Sequence, residues 1–125
     1  MQFLLVYIRE AHAADGRSPN YGGPLVEEPI TTEERDAVAS TCVADLGLDM
    51  IPAVLDRIDD KVGAAYSGHP DRLYLVGKDG KIAYAGARGP FGFSPNELEM
   101  AIIEELSVID AQKKSVKKKG AKKND

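Results

Sequence analysis

The sequence predicts an α/β fold. Three observations carry that reading: a strand-like apolar run near the amino terminus, helical periodicity in two longer segments, and a hairpin signal between them. Parallel character is expected early in the chain and antiparallel character late.

Residues 2–8, QFLLVYI, form a nearly unbroken apolar run rich in branched and aromatic side chains, which suits a strand buried on both faces of a parallel sheet. From Arg9 to Glu28 the chain carries Gly16, Pro19, Gly22, Gly23 and Pro24, with Pro29 following, and this density of breakers predicts a long surface loop. A loop of that length inside a compact domain is usually functional. Residues 31–46 read as a helix. Thr31 and Glu34 make a capping box, while Val38, Cys42, Val43 and Leu46 recur at helical spacing and Gly47 ends the run. Pro52 opens a short strand over 53–56, and residues 60–66 predict a short helix with Val62, Ala65 and Tyr66 turned inward.

Residues 72–76 and 81–85 flank Lys78-Asp79-Gly80, an antiparallel hairpin in which Asp-Gly supplies the positive φ angles of the turn. Beyond the loop GARGPFGF, Ser94 caps a last helix, with Pro95 in its first turn and Glu97 three residues after the cap. Its buried face is Leu98, Ala101, Ile102 and Leu106, and its end is expected near Ile109. The order strand, helix, strand, short helix, hairpin, helix is that of the second half of a thioredoxin-like fold with the extra strand and helix of peroxiredoxin-like variants, a pattern that several α+β folds share.

The 125 residues are one domain's worth of protein, and 43% hydrophobic residues suffice for a modest core. The folded domain is placed at residues 1–110, and residues 111–125 are expected to be a disordered lysine-rich tail. The last thirteen residues hold seven lysines and one aspartate, so a net charge of −4 for the whole chain hides a body at −10. An acidic body argues against a nucleic-acid surface on the fold, and lysines without interleaved aromatics carry little specificity. The opening run is too short to span a membrane and lacks the basic flank of a secretory signal, so a cytoplasmic protein is expected. Cys42 is the single cysteine, which excludes an internal disulfide or a thiol metal cage from one chain. No cofactor motif is present, because Gly86, Gly89 and Gly92 follow an antiparallel strand and lack a phosphate-loop context.

Residues 7–17, YIREAHAADGR, resemble the signature of the iodothyronine deiodinases and their bacterial relatives, with Tyr7, Ile8, Glu10, Ala11, His12, Asp15 and Gly16 matching. A second stretch, AYSGHPDRLYLVGKDGKIAYAGARGPFGFSPNE, is similar to that family's Arg-Leu-Tyr strand, its Gly-Lys-Ile hairpin and its Gly-Pro loop. The resemblance implies a thioredoxin-like domain in which a selenocysteine or cysteine anion performs reductive dehalogenation or thiol redox chemistry, with a thiol as reductant and a small molecule as substrate. The strand, nucleophile and helix that the family places before this block have no counterpart here. The chain as written is therefore expected to be inactive, and either to expose two strand edges or to pair those strands directly. Proline at position 29 stands where the family has a further histidine, and Arg17 stands where vertebrate enzymes have tryptophan.

By the same resemblance, His12 and Glu10 are a supporting pair in which the carboxylate fixes the imidazole tautomer, and Arg72 stabilises an anion. The plainer reading of His12 and Glu10 is that they tie down a loop, and that of Arg72 is a salt bridge to Asp71 or Asp15. His69 reads as a solvated loop histidine, and Cys42 as core packing on its helix stripe. The rival to a redox domain is a non-catalytic interaction module of the same fold. A homodimer is compatible with either.

Overall fold

The computed structural model describes residues 1–20, 22 and 25–122. Tyr21, Gly23, Pro24 and residues 123–125, which belong to the expected loop and tail, lie outside the described residues. The fold is mixed α/β, and its element order is the one the sequence predicts. The chain divides into two units, residues 1–71 and 72–125.

In the first unit, strand β1 (Leu5–Tyr7) pairs in parallel with β2 (Ala53–Leu55), Leu5 opposite Ala53 and Tyr7 opposite Leu55. The ladder is extended by Leu5 N–H to the Pro52 carbonyl and Asp56 N–H to the Tyr7 carbonyl. β1 is shorter than residues 2–8 and is not buried on both faces, since Leu4 is 61% and Val6 37% exposed. A strand with one neighbour in a two-stranded sheet has neither the second ladder nor the covering layers that would bury it.

Helix α1 (Thr32–Asp45) begins where the capping box places it: the Thr31 hydroxyl accepts Glu34 N–H at 3.1 Å, and Glu34 reaches back to Ile30 N–H at 2.8 Å. It ends in a Schellman arrangement, Gly47 N–H to Ala44 and Leu48 N–H to Val43. The buried residues of α1 are Arg35 and Ala39, with Val38, Cys42 and Val43 half-buried beside them, whereas Leu46 at the cap is exposed.

Helix α2 (Lys61–Ala65) starts from Asp60 in the left-handed region at φ 56°, and the Asp60 side chain makes no capping bond. Asp56 does that work from β2's end, accepting the N–H groups of Val62 and Gly63 at 2.9 and 2.7 Å. The inward face expected for α2 is corrected by its burial: Val62, Ala65 and Tyr66 are exposed, and Gly63 is half-buried. A Cβ on Gly63 would stand 3.2 Å from the Asp56 carboxylate and 3.6 Å from Ile8, so the helix docks through its smallest residue.

In the second unit, β3 (Tyr74–Val76) and β4 (Ile82–Ala85) form an antiparallel pair with a register shift between Leu75 and Val76. The turn differs from the expected one. Gly80 alone takes a positive φ, +79°, with Gly80 N–H bonded to the Gly77 carbonyl and Gly77 N–H to Lys81. The turn is an ordinary one followed by a left-handed glycine, and the register shift arises separately, where Ala83 is the extra residue on β4.

Helix α3 (Pro95–Ala121) is capped by Ser94, which accepts Glu97 N–H at 3.3 Å, and its first turns lie against β3 and β4. Leu98, Ala101 and Ile102 are half-buried, but Leu106 is 50% exposed. The helix does not stop near Ile109. It runs through Lys113, Lys114 and Lys117, so the described part of the segment expected to be irregular is helical. Lysine, glutamine and alanine are good helix formers, and no breaker intervenes before Gly120. No helix among the described residues is long and apolar enough to cross a membrane.

Candidate functional site

Tyr7 ends β1, and the chain then turns into the loop that holds Glu10 and His12. The limbs of this loop are bonded to one another: Ala14 N–H to the Val26 carbonyl at 2.8 Å, Glu28 N–H to Asp15 Oδ1 at 2.9 Å, and Asn20 N–H to the His12 carbonyl at 3.3 Å. Ala13, 4% exposed, is the apolar pin of the loop. Asp15 thus has a structural role that its place in the signature motif did not reveal.

His12 is exposed, and its Nδ1 lies 2.8 Å from the Ser18 carbonyl. A carbonyl only accepts, so this contact puts the proton of the neutral ring on Nδ1 and leaves Nε2 as the basic nitrogen. The partner of the ring is thus a backbone carbonyl, where the sequence reading expected the Glu10 carboxylate. Glu10 is half-buried and acts on the ring through charge. Its carboxyl is pushed above the usual glutamate range by burial and by the negative charge of Glu28, with His12 and Arg35 pulling the other way.

Behind this loop lies a buried ionic cluster that the motif search overlooked. Arg35 is 1% exposed and Asp56 2%. Arg35 Nη1 donates to the carbonyls of Arg57 at 2.7 Å and Asp56 at 3.4 Å, while Nη2 meets Asp60 at 3.0 Å and Glu28 at 3.5 Å. Its Nε has no partner among the described residues. Burial alone would raise the Asp56 carboxyl, but hydrogen bonds from Gly63, Val62 and Arg57 N–H and the Arg35 charge hold it below the usual aspartate range. The signal for Arg35 was present in the sequence: it precedes Val38 and Cys42 by three and seven residues, on the same helical stripe.

Cys42 is half-buried on α1, and burial together with Glu10 and Asp45 pushes its thiol up, so the thiolate that would be reactive is disfavoured. His69 is not simply solvated, because its Nδ1 faces Arg9 Nε at 3.4 Å. Among the described residues, no three His, Cys, Asp or Glu side chains are grouped to hold a metal ion.

Arg72 belongs to the second unit. Its Nε donates to the Gly86 carbonyl at 2.6 Å, and its guanidinium lies 5.1 Å from the centre of the Tyr74 ring. In the same unit the Tyr84 hydroxyl donates to Glu97 at 3.1 Å. The structure therefore brings Glu10 and His12 together with Glu28 and Arg35, and describes Arg72 within its own unit.

Residues 1–107 match the family model described as iodothyronine deiodinase. The type I iodothyronine deiodinase of Xenopus laevis is 34% identical over 96 residues, 77% of this chain and 36% of that protein. The thyroxine 5-deiodinase of Sparus aurata is 34% identical over 96 residues, covering 77% of this chain and 35% of its own, and that of Homo sapiens is 33% identical over 98 residues, covering 78% and 31%. The chain spans about a third of the length of these curated relatives. Both signature blocks fall inside the matched region, and the chain belongs to the iodothyronine deiodinase family.

Proposed function

We propose that this chain is the proton-handling part of a deiodinase-like redox domain of thioredoxin-like fold, whose nucleophile comes from outside these 125 residues. The observation that carries the reading is His12, exposed and held through Nδ1 on Ser18 with Nε2 left basic. Replacing a carbon–halogen bond by carbon–hydrogen needs two electrons and a proton. Thiols supply the electrons as they become a disulfide, the halogen departs as halide, and the proton must be delivered to the carbon. A selenium or sulfur anion would take the halogen, and His12 with Glu10 would supply and recover the proton. The same parts would serve peroxide or disulfide reduction.

Cys42 supports placing the nucleophile elsewhere, since a helix-bound thiol with a raised pKa is a poor one. The thioredoxin-like reading is supported by the family to which the chain belongs. A second reading, a non-catalytic interaction module, is favoured by the raised pKa of Cys42, which leaves the one thiol of the sequence a poor nucleophile.

The test is thiol-dependent halide release from an iodinated phenol by the complete gene product. His12→Ala is expected to slow turnover by about 100-fold or more. A rate equal to wild type would remove the assigned role.

A further inference from the structure

The site described above depends on a loop, and loops do not hold a catalytic geometry by themselves. What holds this one is a residue that touches neither His12 nor the space in front of it. We propose that Arg35 is the positioning residue of the Glu10–His12 pair: it fixes the far limb of the loop through Glu28, and the bonds between the limbs pass that constraint to His12. This inference rests on the proton-handling reading of His12 and Glu10.

The connection can be followed atom by atom. Arg35 is anchored on the β2–α2 connection by the Asp56 and Arg57 carbonyls and by Asp60. Its Nη2 also reaches Glu28 Oε1 at 3.5 Å. Glu28 N–H is bonded to Asp15 and Ala14 N–H to Val26, which closes the loop two and three residues beyond His12. Ser18, whose carbonyl orients the imidazole, lies inside the closed segment. A guanidinium is suited to this place because its planar fork can donate in several fixed directions at once, which an ammonium on a flexible stem cannot reproduce.

Arg35 also sets the charge around Glu10. The groups that act on this carboxylate are Glu28 on the loop, His12 on the same segment and Arg35 on α1, and Glu10 in turn acts on Cys42 of α1. Glu28 and Arg35 work in opposite directions, so the pair is a tuning device as well as a clamp.

Three chains decide the matter: wild type, Glu28→Gln and Arg35→Lys, each labelled for NMR. Glu28→Gln removes the charge from the loop contact and leaves the anchors of Arg35 intact. In this variant the Ala14 and Glu28 amides are expected to exchange at least tenfold faster while Ala39 in α1 is unchanged. The His12 ring nitrogen shifts should move from the Nδ1-protonated form towards a mixture of tautomers, and Glu10 should titrate at lower pH because the Glu28 charge no longer opposes its ionisation. Arg35→Lys should reproduce the exchange and tautomer changes. Wild-type exchange and an unchanged His12 tautomer in folded Glu28→Gln would overturn the proposal, and that variant decides alone if Arg35→Lys does not fold. None of these readouts needs turnover, so an active His12→Ala enzyme would sink the functional reading while leaving the clamp standing.

Discussion

Asp56 and Glu10 are both carboxylates of the first unit, yet their surroundings move them in opposite directions. Asp56 is 2% exposed and accepts three backbone N–H bonds, from Arg57, Val62 and Gly63, at 2.8, 2.9 and 2.7 Å. Its lowered pKa means that its contribution to stability is present above the unfolded value of about 3.9 and is lost as pH falls through the folded one. Asp56→Asn is therefore expected to cost about 1–3 kcal/mol at neutral pH and to flatten the acid limb of stability in urea titrations between pH 5 and the acid limit. Glu10 has the opposite sign. Its ionised form is disfavoured by burial and by Glu28, so it lowers stability once pH rises through its raised pKa. Glu10→Gln should raise the urea midpoint at pH 7 and leave it unchanged below the unfolded value of about 4.3. A lower midpoint at pH 7 would show that the Arg35 and His12 attractions outweigh burial. Of these residues, Glu10 and His12 were legible because they stand in a motif. Arg35 was legible only by asking which charged side chain shares an apolar stripe, and Asp56 is recognised only once the helix that it caps is seen.

Elements with local signals were read closely. Thr31 and Glu34 start α1 where expected, and Ser94 and Pro95 start α3, because a cap is a bond between near neighbours in sequence. Ends and faces were read less well. The face of α2 was assigned to Val62 and Tyr66 by their apolarity, but Asp56 fixes the helix by its amino end and brings Gly63 inward instead. In the hairpin, Asp-Gly was recognised as a turn, yet only Gly80 needs the left-handed region. Gly80→Ala is expected to cost about 1 kcal/mol, through the Cβ penalty at φ +79° rather than through a clash, because no atom lies within 4 Å of the added group. Equal stability of that variant by thermal melting would mean that the turn relaxes to another type. The end of α3 was missed because like-charged lysines were taken as a sign of disorder, whereas their helix propensity is high even though Lys113 and Lys117, and Lys114 and Lys118, repel one another at i, i+4.

At the scale of the whole chain, the strands form two separate two-stranded sheets, β1 with β2 and β3 with β4. The fully buried apolar residues among those described are Ala13 and Ala39, while Leu4, Val54, Val76, Ile82 and Phe93 remain between 47% and 61% exposed. Two-stranded sheets bury little by themselves. The α/β class and the family were legible because paired motifs in the right order identify them. The sheet arrangement was not, since strand pairing is a long-range property that no local pattern encodes. In the proposed function the reactive selenium or sulfur is not among these residues, and Cys42 is not its substitute. The direct measurement is halide release from an iodinated phenol by the purified 125-residue chain with excess dithiol, beside its Cys42→Ala variant. No release above the thiol background is predicted for either protein, and release by the unaltered chain that disappears in Cys42→Ala would contradict the account.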